Sequence, residues 1–250
     1  MILYEYPLHE RVRTLLRLEH LFRRVDVLQQ GALPEHHHFA LITLFEIMDV
    51  ATRQDLKSEV LKELERQRQS FIAYRGNPAV AESALDAVLE EIDRAFQALS
   101  QQQGRIGQSL HDSEWLMAIR SRANIPGGTC EFDLPAYFAW QHLPHQQRQT
   151  DLVRWLSVFA PLASSVELLL RLQRDAGSTR KLQALSGYYQ QQLAGKTFQL
   201  LRLSVDGALG LVPEITGHRL MVSVRFMQPD AEWHMTPSAD DVPFEMTLCP

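Results

Sequence analysis

The sequence of 250 residues lacks the short motifs that mark common enzymes. It contains no G-x-S-x-G elbow, no G-x-x-x-x-G-K-[ST] loop and no G-x-G-x-x-G turn. The nearest approach, Pro126-Gly127-Gly128, is not followed by the lysine and serine that would cradle phosphate. We therefore expect that the protein is not an enzyme. A catalytic site assembled from residues far apart in sequence is kept as a third interpretation, because no motif search detects one.

Cysteine is also scarce. Cys130 and Cys249 are the two cysteines of the chain, and they lack C-x-x-C spacing. Such a pair in a chain of this length is not a disulfide framework. We expect both side chains to be small buried hydrophobic groups rather than redox groups.

The chain lacks the signals of export and of a membrane span. No basic segment precedes an apolar run at the N-terminus, and no stretch approaches the roughly 18 uncharged apolar residues that a span needs. The net charge of −5 argues against nonspecific binding of nucleic acid, which depends on many contacts from lysine and arginine to phosphate. The sequence therefore predicts a cytoplasmic protein with neither a membrane nor a nucleic acid as its partner.

What is present is an ordinary globular composition, with 45% hydrophobic and 22% charged residues. Helical periodicity dominates up to about residue 122, and alternating patterns broken by glycine and proline dominate from about residue 180. The pattern predicts an α+β fold, with an N-terminal helical domain packed with a β-rich antiparallel domain. We expect the helical domain to hold residues 1–122 and about 146–176, and the β-rich domain about 123–145 and 177–250.

Helices are predicted where apolar residues recur at steps of three and four. The clearest is 78–100, where Leu85, Leu89, Ile92 and Leu99 form one stripe. Ser113 is the expected N-cap of a short helix, and Pro161 should kink or split the last helical region. The other predicted helices cover 8–28, 36–50, 55–71, 147–159 and 161–174.

Strands are predicted where apolar and polar residues alternate. The expected strands are 129–134, 182–190, 197–204, 219–226 and, as an edge strand, 244–248. Asp206-Gly207 indicates a hairpin turn, and Gln101–Gln103 and Gln190–Gln192 are expected in loops or at helix ends. Pro126, Gly127 and Gly128 are expected to form a structural turn that leads into the first of these strands.

Histidine is frequent, but its spacing does not indicate a metal site. His36, His37 and His38 are neighbours, and neighbouring residues on a helix point about 100° apart. The remaining histidines are scattered and form no H-E-x-x-H pattern. We expect no metal and no cofactor.

One group of charged residues does suggest binding. Arg13, Arg17, His20 and Arg24 follow steps of four, three and four, so they lie along one face of the first predicted helix. The neutral interpretation is a solvated face that is partly paired with acidic neighbours on the same helix. The other is a basic surface for an anionic partner. A nucleic acid or another anionic surface is the alternative partner, although aromatic residues do not alternate with the arginines.

Several stretches together resemble one known family, the ZapD family. The N-terminal match is Glu5-Tyr6-Pro7-Leu8-His9-Glu10-Arg11 with Arg13-Thr14 and Leu16-Arg17-Leu18-Glu19, and the most specific match is the run 125–135, IPGGTCEFDLP. Further matches follow in order along nearly the whole chain, at 61–67, 105–108, 187–190, 215–218 and 224–227.

The resemblance implies a cell division factor that binds the acidic C-terminal tail of the tubulin-like protein FtsZ. Such a protein is expected to form a homodimer, to cross-link FtsZ filaments into bundles and to act at the mid-cell division ring, where it promotes septation. Carried over residue by residue, the basic tail-binding surface falls first on Arg13, Arg17 and Arg53. Arg24, Arg120, Arg122, Lys181 and Arg225 are further candidates. The sequence departs from some relatives at Glu114 and Met221, where they carry basic residues.

Overall fold

The computed structural model describes residues 1–52, 55–193, 195, 197–218 and 220–250. It confirms the α+β class, with helices first and antiparallel sheets towards the C-terminus. The chain forms two compact units. The first holds Met1–Leu16 and Leu170–Pro250, and the second holds Arg17–Leu169. Residues 123–145, expected in the β-rich domain, lie in the second unit.

Nine α-helices lie within the described part of the chain. They are α1 Glu10–Gln29, α2 Pro34–Ala51, α3 Leu56–Ile72, α4 Glu82–Gln101, α5 Gln108–His111, α6 Glu114–Ala123, α7 Pro135–Gln141, α8 His145–Leu156 and α9 Ala160–Asp175. The expected cap of α6 is confirmed, because the Ser113 hydroxyl accepts a hydrogen bond from the Leu116 amide at 3.3 Å. A 3₁₀ turn, Ser157–Phe159, separates α8 from α9 just before Pro161, so the expected split is confirmed.

The predicted strand at 129–134 is wrong, since this segment forms turns and leads into α7. Gly127 has φ +68°, and the Cys130 amide donates back to the Gly127 carbonyl at 3.2 Å. The Leu134 amide then donates to the Cys130 carbonyl at 2.9 Å, which closes another turn. Pro135 begins the helix. Proline is tolerated there because the amide of the first helical residue has no hydrogen-bond acceptor within the helix. The alternation in the sequence therefore reflects successive turns.

The core of the second unit is formed by the apolar faces of its helices. The stripe predicted on α4 is confirmed, with its large apolar side chains buried: Leu85, Leu89, Ile92 and Leu99. α3 packs along α4, and Arg68 donates to Asp93 across the pair at 2.7 Å. α2 is the most apolar of these helices, and Leu41, Leu44 and Ile47 are fully buried.

A buried arginine ties three helices and a loop of this unit together. Arg148 on α8 is 4% exposed, and its Nε donates to Nδ1 of the fully buried His37 on α2 at 3.0 Å. Its other nitrogens donate to the carbonyls of Ala32 and of Gln141, which ends α7, each at 2.9 Å. Burial, Arg148 and His145 all lower the pKa of His37, so the imidazole is neutral and Nδ1 can accept.

The neighbouring histidine has a different partner. His38 Nδ1 lies 2.7 Å from the hydroxyl of Tyr137 on α7. Burial lowers the pKa of His38 and raises the pKa of Tyr137, so both groups are neutral near pH 7. His37 and His38 therefore join α2 to different neighbours and do not converge on a common point.

Eight strands lie within the described part of the first unit. They are β1 Ile2–Pro7, β2 Ser178–Ala184, β3 Tyr188–Gln192, β4 Leu200–Val205, β5 Val212–His218, β6 Met221–Pro229, β7 Met235–Pro237 and β8 Val242–Cys249. One antiparallel sheet has the order β1-β4-β8-β2. The other has the order β3-β6-β5, with β7 also paired to β6. Leu203, Val224, Phe226 and Phe244 lie in one buried cluster that both sheets share.

Three details of the predicted strands are wrong. The strand expected at 182–190 is divided into β2 and β3 by Ser186, with φ 48°, and Gly187, with φ 71°. A side chain at Gly187 would place its Cβ 2.4 Å from the Ser238 carbonyl, so glycine is required there. β8 pairs on both sides and is not the expected edge strand. Gln190–Gln192, expected in a loop or helix end, belong to β3.

The hairpin expected at Asp206-Gly207 is also wrong, because β4 and β5 belong to different sheets. The Asp206 carboxylate instead accepts the Ala208 amide at 3.0 Å and begins a 3₁₀ turn. β1, β5 and β7 were not predicted, and Arg219, the expected start of one strand, lies outside the described residues. The burial of Cys249 is confirmed, whereas Cys130 is only partly buried.

One helical run could cross a membrane by its length and composition alone. It covers His145–Asp175, and 39% of its most apolar window is buried. The run contains Glu167 and Arg171, so it is not the uncharged stretch that defines a typical span. Core helices pass the same test, so this single run is weak evidence for a membrane.

An ion cluster around Glu5 holds the N-terminal strand in the first unit. Glu5 on β1 lies opposite Arg202 on β4, and the Arg202 Nε donates to its carboxylate at 2.9 Å. Arg174 near the end of α9 donates to the same carboxylate from Nε at 2.9 Å and from Nη2 at 2.7 Å. All three side chains are mostly shielded from solvent, at 16–28% exposure.

We expect Glu5→Gln to lower the free energy of unfolding by about 1–3 kcal/mol, because two shielded guanidinium groups lose their counter-charge. Chemical denaturation of the purified protein measures this. Glu10→Gln is the matched control, since Glu10 is 70% exposed and pairs with Arg13 alone among the described residues. An equal effect of the two substitutions would contradict the structural role of the Glu5 cluster.

Candidate functional site

The basic face of α1 lies opposite its buried face. Val12, Leu15, Leu18, Leu21 and Val25 are each at most 9% exposed. The side chains of Arg13, Arg17, His20 and Arg24 follow the other side of the helix, as the spacing predicted. The division between the two units falls between Leu16 and Arg17, so Arg13 belongs to the first unit and the other three residues to the second.

Two of the three arginines on this face are already paired within the protein. The Arg13 Nε donates to Glu10 at 3.0 Å, one turn earlier on the same helix. Arg24 forms an ion pair with Glu46 on α2, and its Nε donates to the buried Thr43 hydroxyl at 2.9 Å. Arg24 therefore fastens α1 to α2.

Arg17 and His20 differ from these two residues. Both are exposed, and neither forms an ion pair or a side-chain hydrogen bond with a residue that the structure describes. They are one turn apart on one helix, so their side chains present donors to solvent on the same surface. This pair, Arg17 and His20, is the open part of the basic face.

Arg120 and Arg122 at the end of α6 have acidic partners. Arg120 is half-buried and pairs with Asp49 on α2, with its Nη1 also 3.4 Å from Nδ1 of His111. Arg122 lies 3.4 Å from Asp133 in the turns that follow Gly127. α2 thus receives two arginines one turn apart, Arg24 at Glu46 and Arg120 at Asp49.

The remaining predicted residues lie elsewhere. Lys181 on β2 is exposed and opposite Glu245 in the register of β2 and β8. Arg225 on β6 is exposed and lies over the Tyr188 ring at 5.8 Å. Both belong to the first unit, with Arg13. Arg53 lies outside the described residues.

A group of possible metal ligands was not singled out from the sequence. Asp230, Glu232 and His234 offer ligand atoms within 4.8 Å of one another, and all three are exposed. Asp230 accepts the amides of His234 at 2.8 Å and of Glu232 at 2.9 Å, and the first of these bonds makes the largest contribution to lowering its pKa. Its carboxylate therefore stabilises a local turn, and this accounts for the clustering.

Two cavities in the described chain bear on the enzyme interpretation. One, of about 430 Å³, lies between α4 and α9 and is lined mainly by small side chains, with Glu91 and Arg94 as its charged residues. The other, of about 500 Å³, lies in the first unit and has Arg180 as its charged side chain. Neither lining contains a histidine or a cysteine among the described residues.

Comparison with known proteins identifies the relatives of the chain. A family model described as ZapD, cell division protein, matches residues 16–225. Proteins named cell division protein ZapD from Ralstonia pickettii (strain 12J) and Ralstonia nicotianae (strain ATCC BAA-1114 / GMI1000) are each 51% identical over 250 residues, 100% of this chain and 99% of the relative. The protein of that name from Janthinobacterium sp. (strain Marseille) is 48% identical over 249 residues, 100% of this chain and 99% of its own.

The contacts predict opposite roles for two arginines of one helix face. Arg24→Ala should lower the free energy of unfolding by about 1 kcal/mol, because it removes an ion pair and a hydrogen bond to α2. Arg17→Ala should change it by less than about 0.5 kcal/mol, as expected for a surface side chain without partners. Urea denaturation of the two variants in parallel tests this difference. A larger loss for Arg17→Ala would show that Arg17 is a structural residue.

Proposed function

Because the chain belongs to the ZapD family of cell division proteins, we propose that it cross-links FtsZ filaments by binding their acidic C-terminal tails. Arg17 and His20 on α1 are the centre of the proposed tail site. They are exposed and have no ion-pair partner among the described residues, whereas Arg13 and Arg24 on the same face are occupied. This difference between the open and the paired side chains of one helix face is the observation that carries the proposal.

The chemistry of the open pair suits a carboxylate-rich ligand. A guanidinium group presents its donors in a planar fork that can bind both oxygens of a carboxylate, and it stays charged at every physiological pH. An exposed contact of this kind is weakened by salt, because the Debye length is only about 8 Å at physiological ionic strength. Binding of one tail to one site is therefore expected to be modest and sensitive to salt.

Two arginines, one on α1 and one on α6, are held by ion pairs with α2. Arg24 and Arg120 are held by Glu46 and Asp49 of α2, so their positions are fixed before a ligand arrives. An arriving carboxylate can share such a donor without ordering a free side chain, which reduces the entropic cost of binding. In this arrangement Arg17 and His20 supply the open donors, and Arg24 supplies a fixed charge one turn further along the helix.

Bundling requires that one particle hold two tails. We propose a homodimer, as the resemblance to the family implies, which carries two tail sites and bridges two filaments. A filament presents many tails, so an arm that dissociates rebinds at a high effective concentration and weak sites suffice. The proposed place of action is the cytoplasm, at the mid-cell division ring, where bundling of filaments promotes septation.

Charge reversal at the open pair tests the tail site. Arg17→Glu should weaken binding of a labelled peptide of the FtsZ tail by about tenfold or more, because attraction is replaced by repulsion at an exposed contact. Fluorescence anisotropy at low salt measures the affinity. Lys62→Glu is the matched control, since Lys62 on α3 is also exposed and forms no ion pair with a described residue. It should retain the affinity of the unmodified protein within about twofold.

The peptide assay has two contradictory outcomes. Equal losses for Arg17→Glu and Lys62→Glu would mean that only the net charge matters, and the assignment of the tail to α1 would be wrong. Unchanged binding by Arg17→Glu would exclude Arg17 from the tail site.

A further inference from the structure

Arg148 lies where two connections between helices of the second unit meet. Its Nη2 donates to the Ala32 carbonyl, in the connection between α1 and α2, at 2.9 Å. Its Nη1 donates to the carbonyls of Gln141, at the end of α7, and of Leu143, in the connection between α7 and α8. Its Nε donates to Nδ1 of His37 on α2 at 3.0 Å. We call these five residues the Arg148 junction, through which both connections are fastened.

The Arg148 junction buries a positive charge among neutral acceptors. Arg148 is 4% exposed and forms no ion pair with a residue that the structure describes. A guanidinium group does not lose its proton, so each neutral acceptor is needed to satisfy a buried N–H donor. His37 is the acceptor that can be converted into a donor, because a proton on Nδ1 occupies the lone pair that Arg148 now uses.

The surroundings of the His37 ring disfavour that proton. The charged and titratable side chains near the ring come from α8 and from α2 itself: Arg148, His145, His36 and His38. Each of them is a cation or becomes one on protonation. The His145 ring is stacked on His37 with 5.3 Å between centroids, and the neighbour from α7 is Trp140, which does not titrate.

The pKa of His37 reflects this environment. Burial lowers it most, and the charges of Arg148 and His145 lower it further. The backbone carbonyls of Gln29 and Gly31, beside the end of α1, raise it but do not outweigh the other effects. The pKa in the closed junction is therefore below the ordinary value of 6.5.

Protonation of His37 and a closed junction are incompatible. Because Nδ1 accepts from Arg148, the neutral ring carries its proton on Nε2, and the added proton would occupy Nδ1. Two donors would then face each other at 3.0 Å, and one hydrogen bond would be lost. Two buried cations at this separation also repel each other strongly. An opened junction, in which water surrounds the ring, binds the proton more readily.

We propose that the Arg148 junction is a pH-sensitive switch that opens when His37 is protonated. Opening separates Arg148 from His37 and releases the connections between α1 and α2 and between α7 and α8. The packing of α4 in the same unit does not depend on these contacts and stays closed. The switch is independent of FtsZ binding, because none of its contacts involves Arg17 or His20.

The direction of the switch follows from the two pKa values. The opened junction binds the proton with the ordinary pKa of 6.5, and the closed junction has a lower one. The stability of the closed junction is therefore fully present above about pH 6.5 and is lost as the pH falls towards the lower value. A single proton changes the opening equilibrium by at most about tenfold for each pH unit.

Hydrogen–deuterium exchange of the full chain, measured by mass spectrometry at about pH 7.5 and about pH 5.5, tests the switch. The ratio of intrinsic to observed exchange rate removes the pH dependence of the exchange reaction itself. In peptides that cover 29–37 and 141–148, we expect the opening equilibrium constant to rise at least about threefold and up to about tenfold on acidification. Peptides from α4 should change by less than about twofold.

His37→Asn removes the titration while keeping an acceptor. The asparagine Oδ1 is as many bonds from the backbone as Nδ1, so it can accept from Arg148, but it takes up no proton near neutral pH. The rise in the two junction peptides should fall below about twofold. His142→Asn is the matched control, since His142 is exposed at the end of α7 and its Nδ1 lies 2.8 Å from the Phe138 carbonyl. It should keep the full rise.

Nitrogen NMR of the histidine rings in the unmodified protein gives a second measurement that does not depend on the folding of a variant. We expect Nδ1 of His37 to carry no proton at about pH 7.5 and to gain one over the pH range in which the junction opens. A proton on Nδ1 at about pH 7.5 would overturn the inference. So would a rise below about threefold in the unmodified protein, an equal rise in α4, or an equal rise in His37→Asn.

Discussion

The ion cluster formed by Glu5 with Arg174 and Arg202 is the interaction that connects the N-terminal strand to the rest of the first unit. The Glu5 carboxylate accepts hydrogen bonds from Arg174, near the end of α9, and from Arg202 on β4, so it joins segments more than 160 residues apart in sequence. β1 is an edge strand that pairs with β4 alone among the described strands, and Tyr4 and Tyr6 pack against the buried cluster. The strand leads directly into α1, and Leu8 continues the pairing with a hydrogen bond from its amide to the Gln199 carbonyl at 2.8 Å. The Glu5 cluster and this backbone hydrogen bond both hold the segment that leads into α1, and the sequence pattern revealed neither of them.

Much of the helical architecture followed from the sequence, because one-sided burial imposes a period of 3.6 residues. α4 shows this most clearly, with Leu85, Leu89 and Ile92 buried as predicted. The β-rich region was harder to predict, because the structure there depends on single backbone angles and on distant partners. Ser186 at φ 48° divides one predicted strand into two, and β1 pairs with a strand almost 200 residues later. Neither feature leaves a local pattern of hydrophobicity.

In the candidate site, too, some features follow from local spacing and others depend on residues that are distant in sequence. Spacing alone predicted that Arg13, Arg17, His20 and Arg24 share a face, and the helix confirms it. Spacing could not show which of them are occupied, because the partner of Arg24 comes from α2 and is distant in sequence. The tertiary structure shows that Arg24 is paired with α2 and that Arg17 is exposed, and for this reason we place the centre of the proposed tail site at Arg17. The cavity of the first unit that Arg180 lines is likewise formed by segments that are remote in sequence.

Sedimentation of polymerised FtsZ with this protein tests whether it bundles filaments through their tails. The assay compares full-length FtsZ with a form that lacks the C-terminal tail, each at low and at moderate salt. We expect the protein to increase pelleting of full-length filaments. Truncation of the tail should abolish the increase, and salt should weaken it. Equal pelleting of the truncated form, or no increase with either form, would exclude tail-dependent bundling and would leave the arginine face of α1 as a solvated helix surface.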